Sequence, residues 1–477
     1  MDDHSTLFAS GLQLAERIRK REISPLEVVQ ACLDQVDRVN PELNAIIWRR
    51  DEQLLEEARL AEEKVMSGDD LPPFHGVPMP VKDLTDVEGW LTTFGSMGAK
   101  DRVAAGDATV VSQFRDAGFL LMGRSNTPEF GTLPVTENQA WGATRNPWDK
   151  TRSPGGSSGG AAAAVASGMA PIAHANDGGG SIRLPAGWSG LVGLKPSRGR
   201  TCAGPPVVSD IMHGFAVEGC VSRTVTDTAA VLDAIAPYDP LAWYTAPRPA
   251  TTFLDASRSS SGRPQRIAFT TASPMGDPVD QEAIKAVELT ARLLEEAGHE
   301  VFEAAPDWQM GPEFIDLFKI VWNTGPLFWD VQDWSKVEPL NLAMRESAMQ
   351  TSSADYAASV AALQMYSRRV VASWQKFDVL LTPTAASLPP PIGVLWEGAG
   401  DDPMYPLNEA AQMIPFTPVF NVTGQPAISL PVHLSAEGLP VGIQLVAAPW
   451  QDELLLQLGA QLEAVVGWAE RTPGQSE

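Results

Sequence analysis

The spacing of apolar and polar residues predicts helices in the first 70 residues. In "SGLQLAERIRK" and "SPLEVVQACLDQVDRVN", apolar residues recur three and four positions apart, as on the buried face of a surface helix. Each stretch opens with a possible capping box, in which a serine and a residue three positions later bond the free N–H groups of the first turn. The two pairs are Ser10 with Gln13 and Ser24 with Glu27. We therefore expect residues 1–70 to form an N-terminal helical segment.

Beyond residue 70, strand-like and helix-like segments alternate. Short apolar runs bounded by turn residues predict strands, and they include "FLLMGRS", "RIAFTT", "DVLLTPT", "QPAISLPVHL" and "PVGIQLVAAP". The stretches "DQEAIKAVELTARLLEEAG" and "QDELLLQLGAQLEAVV" have the period of amphipathic helices. Such alternation is typical of an α/β fold built around one large sheet.

The region from about residue 306 to residue 376 has a different composition. Its segment "DWQMGPEFIDLFKIVWNTGPLFWDVQDW" contains four of the 14 tryptophans of the chain. One interpretation is ordinary core packing within an inserted helical region, which we place at residues 300–376. The other is an aromatic wall or cap over a binding site, because ligand pockets are lined mainly by apolar and aromatic side chains.

Composition and charge narrow the functional classes. The chain has 477 residues, of which 44% are apolar, and a net charge of −24. That charge speaks against binding nucleic acid or an anionic membrane surface, because both require clustered Lys and Arg. No stretch is apolar and long enough to span a bilayer, and the N-terminus lacks a signal-peptide pattern, so we expect a cytoplasmic protein. The cysteines Cys32, Cys202 and Cys220 indicate neither a disulfide framework nor a zinc site.

Three stretches contain residues suited to catalysis. Lys82 lies in the apolar, strand-like "PVKDL", where burial would lower its pKa and allow it to act as a base. A glycine-serine loop, "SPGGSSGGAAAAVASG" (residues 153–168), precedes a second glycine run, "DGGGSIRLPAG" (residues 177–187). Each glycine run alone is equally compatible with a surface turn.

Two other interpretations of the glycine-serine loop stay open on these residues. A phosphate-binding loop is one, although the GK[ST] ending of that motif is missing. The segment "GGSSG" also fits the G-x-S-x-G pattern of the α/β-hydrolases, for which His433 would be the base by chain order.

Taken together, the three stretches resemble the amidase signature family. In that family a lysine in a "GVP-x-x-VKD" strand pairs with one serine in "PGGSSGG" and another in "D-x-GGSIR". Here Ser157 and Ser181 are 24 residues apart, and Lys82 precedes Ser157 by 75. Further matching motifs are "NTPEFG", "TRNPWD", "GLKPSRGR", "LLTPT" and "FNVTGQPAISLPV". The resemblance covers nearly the whole chain except roughly residues 240–375.

The resemblance implies a fold and a division of the chain. We expect the amidase signature fold, a large mixed twisted β-sheet flanked by helices, as a single domain over residues 1–477. The catalytic core would span residues 72–240, and the chain would return to the core sheet over residues 377–477. The aromatic-rich helical insertion would lie between them.

The resemblance also implies a Ser–cis-Ser–Lys triad. Ser181 would be the nucleophile, Ser157 would relay protons, and neutral Lys82 would be the base. The backbone N–H groups of four residues would form an oxyanion hole: Gly178, Gly179, Gly180 and Ser181. Three further residues would support the site structurally: Ser158, Asp177 and Arg183. No metal or organic cofactor is implied.

The substrate is less closely defined than the chemistry. "AHANDGGGSIRLPAG" is most similar to the branch of the family that contains the 6-aminohexanoate cyclic-dimer hydrolase and carbamate-cleaving members. The resemblance therefore implies a small apolar or aryl amide, a carbamate (urethane), a nylon-type oligomer or an ester. Phe94 and Gly178 depart from the residues that many members carry. We expect a monomer or homodimer with no nucleic-acid or membrane partner.

Two alternatives keep the same scaffold. One is the glutaminase subunit of a tRNA-dependent amidotransferase, in which the pocket must hold the charged end of glutamine. The other is a catalytically silent binding protein.

Overall fold

A computed structural model describes residues 3–201, 204, 211–309 and 312–474. Cys202 therefore lies outside the described residues. The strands, in chain order, are β1 Ile46–Arg49, β2 Pro78–Lys82, β3 Leu120–Ser125, β4 Ile172–Asp177, β5 Val192–Lys195, β6 Val217–Ser222, β7 Arg266–Phe269, β8 Glu300–Glu303, β9 Val379–Pro383, β10 Ala427–Leu434 and β11 Pro440–Ala447.

The larger sheet has eight strands in the order β4-β6-β5-β10-β11-β9-β7-β8. From β4 to β9, neighbouring strands run antiparallel, whereas β9, β7 and β8 run parallel. The expected large mixed sheet is thus confirmed. Strand β11 is buried along its whole length, which explains its nearly continuous apolar sequence "PVGIQLVA".

Helices cover both faces of the larger sheet. They are α1 Asp3–Leu7, α2 Gly11–Arg19, α3 Pro25–Leu43, α4 Asp51–Ser67, α5 Thr109–Asp116, α6 Gly159–Ala166, α7 Arg183–Ser189, α8 Val225–Ile235, α9 Phe253–Ser257, α10 Gln281–Glu296, α11 Pro312–Trp322, α12 Pro339–Gln350, α13 Ser353–Ala372, α14 Tyr405–Met413, α15 Pro418–Thr423 and α16 Asp452–Val466. Gly187 of α7 packs toward Ser429, whereas Gly459 of α16 packs toward Ile428. Successive residues of a strand point to opposite faces, so α7 and α16 lie on opposite sides of β10.

A second sheet of three strands, β1-β3-β2, was not expected from the sequence. Its central strand pairs antiparallel with β1 and parallel with β2. Strand β2 is buried along its whole length and ends at Lys82. The base proposed from the sequence therefore lies in a different sheet from the strand that leads to Ser181.

The N-terminal helices begin where the capping boxes placed them. Ser10 precedes α2 and Ser24 precedes α3, and both boxes form in full, with the side chain of the third helical residue bonded back to the cap. No helix within the described ranges is long and apolar enough to cross a membrane.

The segment at residues 300–376 differs in part from the expected all-helical insertion. It starts with strand β8, which extends the larger sheet by parallel pairing with β7. Its four residues, "EVFE", are too few to distinguish a strand from a helix by their period. Helices α11, α12 and α13 follow, with short 3-10 turns at Gly325–Phe328 and Trp334–Lys336 between α11 and α12.

Candidate active site

Lys82 lies at the end of β2, fully buried, with three hydrogen-bond partners. Its Nζ is 2.7 Å from Ser157 Oγ, 2.9 Å from Ser158 Oγ and 2.7 Å from Asn176 Oδ1. Ser158 Oγ in turn donates to the carbonyl oxygen of Asn176 at 3.3 Å. Lys82 is thereby held between the glycine-serine loop and the end of β4.

The protonation of Lys82 follows from its burial. Removal from water lowers the pKa of its ammonium group from 10.5 to about 7, although the negative charges of Glu218 and Asp177 oppose that shift. A lysine with such a pKa has a large neutral fraction at neutral pH. It can accept a proton there, which an exposed lysine cannot.

The loop that carries Ser157 is shaped by close backbone contacts. The Gly156–Ser157 peptide bond is cis. A Cβ atom on Gly156 would lie 2.6 Å from the backbone nitrogen of Val135, so only glycine fits there. The next residue, Ser158, donates its N–H to the carbonyl oxygen of Ser181 at 3.3 Å. The two serine loops are thus joined directly by a backbone hydrogen bond.

Asp177 organises the loop that carries Ser181. Its carboxylate accepts the N–H of Gly180 at 2.8 Å and that of Ile182 at 3.2 Å. Both bonds draw the backbone on either side of Ser181 toward Asp177. The nucleophile proposed from the sequence therefore lies on a turn that a single buried carboxylate holds.

This arrangement corrects the expected set of oxyanion donors. The N–H of Gly180 already donates to Asp177, so it does not face a substrate. Gly180 is instead required by its backbone, because its φ is +134° and a Cβ atom would lie 2.4 Å from Thr417 Oγ1. Within the described part of the chain, the N–H groups of Gly178, Gly179 and Ser181 form no hydrogen bond. Three donors rather than four are left for an oxyanion.

Asp177 and Arg183 form a fully buried ion pair. Arg183 Nε and Nη2 each lie 2.9 Å from an oxygen of Asp177, a two-pronged geometry. Burial alone would raise the pKa of the Asp177 carboxyl, but the adjacent guanidinium and the hydrogen bond from Asn421 hold it well below its usual value. Asp177 is therefore charged at neutral pH.

Sequence reasoning missed a histidine–glutamate pair beneath Lys82. The backbone N–H of Lys82 donates to His174 Nδ1 at 3.3 Å. Because Nδ1 accepts this bond, the proton is assigned to Nε2, which lies 2.8 Å from Glu218 Oε2. His174 and Asn176 are two residues apart on β4 and share one face, and polar residues at that spacing in an otherwise apolar strand were the available signal.

The G-x-S-x-G alternative is not supported by the position of His433. Its Nε2 lies 2.8 Å from Glu282 Oε2 of α10. Ser157 Oγ instead contacts Lys82. The histidine base that an α/β-hydrolase requires is thus not next to the serine.

Two cavities open onto Ser181. The larger has a volume of about 330 Å³ and is lined by Ser157 and Ser181 together with aromatic residues of the insertion. The smaller, of about 90 Å³, is lined almost entirely by apolar side chains. The aromatic residues that line the larger cavity are Phe94, Phe130, Tyr244, Trp322, Phe328 and Trp329. The insertion thus provides part of the wall. Others of its aromatic residues pack in the core, namely Trp308, Tyr366 and Trp374, whereas Phe314 and Phe318 line the smaller cavity.

Phe94, one of the departures from the family pattern, belongs to this wall. Its ring lies 4.8 Å from that of Trp329, and the guanidinium of Arg102 lies 4.7 Å above it. Arg102 is itself paired with Asp86 at 2.7 Å. An aromatic and charged rim of this kind suits an apolar ring that carries polar substituents.

Comparison with known families assigns the chain to one of them. The family model described as Amidase matches residues 27–456. The chain therefore belongs to the amidase family, the amidase signature enzymes, and is an amidohydrolase that acts on amide C–N bonds.

Individual relatives cover almost the whole chain. The 6-aminohexanoate-cyclic-dimer hydrolase of Paenarthrobacter ureafaciens is 39% identical, with 98% of this chain and 97% of that protein covered. A solved structure of 6-aminohexanoate cyclic dimer hydrolase complexed with substrate is similar at a TM-score of 0.92 and 37% identity, over 98% of this chain and 99% of that one. A bacterial aryl acylamidase structure has a TM-score of 0.87 and 26% identity, over 98% and 99% of the two chains.

Proposed function

We propose that this amidohydrolase cleaves apolar and aryl amides, and also carbamates (urethanes), nylon-type oligomers or esters, through an acyl-enzyme on Ser181. The observation that carries the proposal is the buried contact of 2.7 Å between Lys82 Nζ and Ser157 Oγ, beside a cavity that Ser157 and Ser181 share. Ser157 is then the relay between Lys82 and Ser181.

The three contacts of Lys82 Nζ fit the ammonium form, which has three N–H donors, and they also fit the neutral amine that a base requires. A neutral amine has two N–H donors and one lone pair. Ser158 Oγ, which donates its own proton to the Asn176 carbonyl, accepts one N–H, and Asn176 Oδ1 accepts the other. The lone pair of Lys82 is left for the hydroxyl proton of Ser157.

In the acylation step, Ser181 Oγ attacks the substrate carbonyl carbon. Its proton passes to Ser157, whose own proton passes to Lys82. The negative charge that develops on the carbonyl oxygen is stabilised by the N–H groups of Gly178, Gly179 and Ser181, a type of contact worth roughly 3–4 kcal/mol per donor in the transition state. Lys82 then returns the proton through Ser157 to the leaving nitrogen, and the C–N bond breaks.

In the deacylation step, the same groups act on water. Water donates its proton through Ser157 to Lys82 while its oxygen attacks the ester of Ser181. Collapse of the second tetrahedral intermediate returns a proton to Ser181 Oγ and releases the carboxylic acid. Both steps use one relay and one set of donors.

The walls of the two cavities support an apolar substrate. Aromatic residues line the larger cavity, and the smaller is almost wholly apolar. Two similar proteins, an aryl acylamidase and a 6-aminohexanoate-cyclic-dimer hydrolase, have names that also indicate amide substrates with apolar parts. The charged end of glutamine would be poorly accommodated by the smaller cavity, which counts against the glutaminase alternative.

A matched chromogenic panel tests this function. An aryl amide, an aryl ester and an aryl carbamate of one leaving-group class are assayed with the wild-type protein and with Ser181→Ala. We expect release that Ser181→Ala abolishes, and hydrolysis of the carbamate at a rate near that of the amide would assign the urethane-cleaving activity. Activity only on small polar amides would overturn the proposal for apolar substrates.

Two variants and a label test the assigned roles. Lys82→Ala should lose nearly all activity at neutral pH, and retention of most activity there would refute the lysine as base. Covalent labelling of Ser181 by a fluorophosphonate, absent in Ser181→Ala, would exclude a catalytically silent protein.

A further inference from the structure

The two cavities meet at the nucleophile from different sides. Ser181, Gly131 and Trp322 line both of them. The indole ring of Trp322 lies about 3.4 Å from the positions that Cβ atoms on Gly178 and Gly179 would occupy, so it packs against the oxyanion loop. Trp322 therefore forms a wall between two chambers that share one reactive atom.

The position of Ser157 assigns a role to each chamber. Ser157 lines the larger cavity and not the smaller one, where only the preceding Gly156 is found. In the acylation step the leaving nitrogen must receive its proton from Ser157. The amine part of the substrate therefore occupies the larger cavity, which leaves the smaller one for the acyl group.

The volume of the smaller cavity limits the acyl group. A closed apolar cavity of about 150 Å³ binds one benzene molecule. The smaller chamber, at about 90 Å³, holds less than a benzene ring. An alkyl chain of about three or four carbons is the size it accommodates.

The residues that line the two chambers also differ in polarity, which agrees with this orientation of the substrate. Met275, Ile315 and Leu407 are among the apolar residues of the smaller chamber, and its charged residue Lys319 is paired with Asn408 at 2.6 Å. The larger chamber also carries carboxylates, among them Glu218, whose side chain is 24% exposed. Polar groups on a substrate are accommodated on the amine side only.

We propose that the enzyme selects amides and carbamates with a short apolar acyl or alkoxycarbonyl group, seated in the smaller chamber, and a larger, aromatic amine part, seated in the larger chamber. This inference rests on the proposed function, since it uses Ser157 as the proton donor to the leaving nitrogen. It goes further by fixing the orientation of the substrate and by limiting the acyl group, and it thereby narrows the proposed function, because the 6-aminohexanoyl group of a nylon-type oligomer is longer than the smaller chamber accommodates.

Two series of substrates test the orientation. In the first, 4-nitroaniline is acylated with acetyl, butyryl, hexanoyl, decanoyl or benzoyl groups. In the second, the butyryl group is kept and the amine is enlarged from 4-nitroaniline to 7-amino-4-methylcoumarin. We expect kcat/KM to be at least about tenfold lower for benzoyl and decanoyl than for butyryl, since misfit in an apolar pocket costs about that factor or more. The larger amine should change kcat/KM by less than about threefold.

Three variants connect that preference to the chambers. Ile315→Ala enlarges the smaller chamber and should shift the optimum toward hexanoyl. Ala411→Leu fills it and should restrict hydrolysis to acetyl. Phe328→Ala, which changes the half-exposed wall of the larger chamber, is the matched control and should leave the order of acyl preference unchanged. Thermal melts of the three variants show that each is folded before rates are compared.

The outcomes separate this inference from the proposed function. Hydrolysis that depends on Ser181 but is indifferent to acyl length, or that tolerates decanoyl and rejects the larger amine, overturns the orientation and leaves the amidase function intact. A shift of acyl preference in Phe328→Ala and not in the other two variants overturns it as well. If neither series is hydrolysed in a Ser181-dependent manner, the proposed function itself fails.

Discussion

Replacing Asp177 with asparagine would test whether the loop that carries Ser181 needs the negative charge of Asp177 or only the size of its side chain. Asparagine has nearly the same volume and keeps one oxygen that can accept the N–H of Gly180. It removes the charge that faces Arg183, whose side chain is fully buried. The variant therefore leaves a guanidinium in the core with no counter-ion.

The structure allows the loss of stability to be estimated. Removing one partner of a buried ion pair costs about 3–5 kcal/mol. Arg183 keeps three neutral acceptors, at 2.6–3.0 Å, so the lower end of that range applies. For 477 residues, an unfolding entropy of about 2.1 cal/mol/K per residue totals about 1 kcal/mol/K, and the melting temperature should fall by about 3 °C.

Asp177→Asn should lower kcat strongly, although the melting temperature falls by only a few degrees. Asp177 holds the backbone on both sides of Ser181, and a displacement of about 1 Å at a reacting group lowers the rate by about a hundredfold. Because Asp177 lines neither cavity, KM should change little while kcat falls. Steady-state kinetics on an aryl amide and a calorimetric melt measure the two effects on one preparation.

Asp227→Asn is the matched control. Asp227 is also fully buried and also accepts two backbone N–H groups, those of Gly11 and Leu12, but it caps helix α2 and lines neither cavity. It should lower the melting temperature and leave kcat unchanged. If Asp177→Asn keeps wild-type kcat, or if both variants lose it equally, the assignment of Asp177 as the organiser of the nucleophile loop is refuted.

Three further results are expected. Lys82 must be neutral to act as base and its pKa is about 7, so kcat/KM should rise with pH through a midpoint near 7. Glu218→Gln removes a negative charge that raises this pKa and should move the midpoint to lower pH. A midpoint above 9 in the pH–rate profile would contradict this assignment. Gly180→Ala should lower both the melting temperature and activity, whereas Gly179→Ala, whose new methyl group meets nothing closer than 3.4 Å, should melt like the wild type in a thermal scan. Ser158→Ala removes an acceptor of Lys82, so kcat should fall about tenfold at unchanged KM in steady-state assays.

The fold was predictable from the sequence where the signal is local. The capping pairs at Ser10 and Ser24 located two helix starts, since capping depends on side chains three residues apart. The alternation of strands and helices predicted one large sheet, and the family resemblance implied that it is mixed. The short strand β8 and the separate sheet that holds Lys82 were missed, because strand pairing joins segments distant in sequence and leaves no local pattern.

The site shows the same division. Lys82, Ser157 and Ser181 were proposed from motifs, whereas the contact of Lys82 with Ser157 and the cavity that Ser157 shares with Ser181 needed the structure. The N–H of Gly180 donates to Asp177 because of the orientation of one carboxylate, and the spacing of the glycines does not reveal that orientation. Glu218 was missed for a similar reason, since it is 44 residues from His174 and meets it only by pairing of β4 with β6.

The candidate active site is divided between two sheets, so catalytic activity depends on how closely the two sheets pack against each other. Lys82 belongs to the three-stranded sheet, while Asn176 and Ser181 lie on and after the edge strand of the eight-stranded one. Hydrogen bonds across this seam, such as that from the Lys82 backbone to His174, hold the base in place. A perturbation that moves the two sheets slightly apart would stop proton transfer between Ser157 and Lys82, although each sheet would keep its own hydrogen bonds. During thermal denaturation, turnover should therefore be lost at a lower temperature than secondary structure.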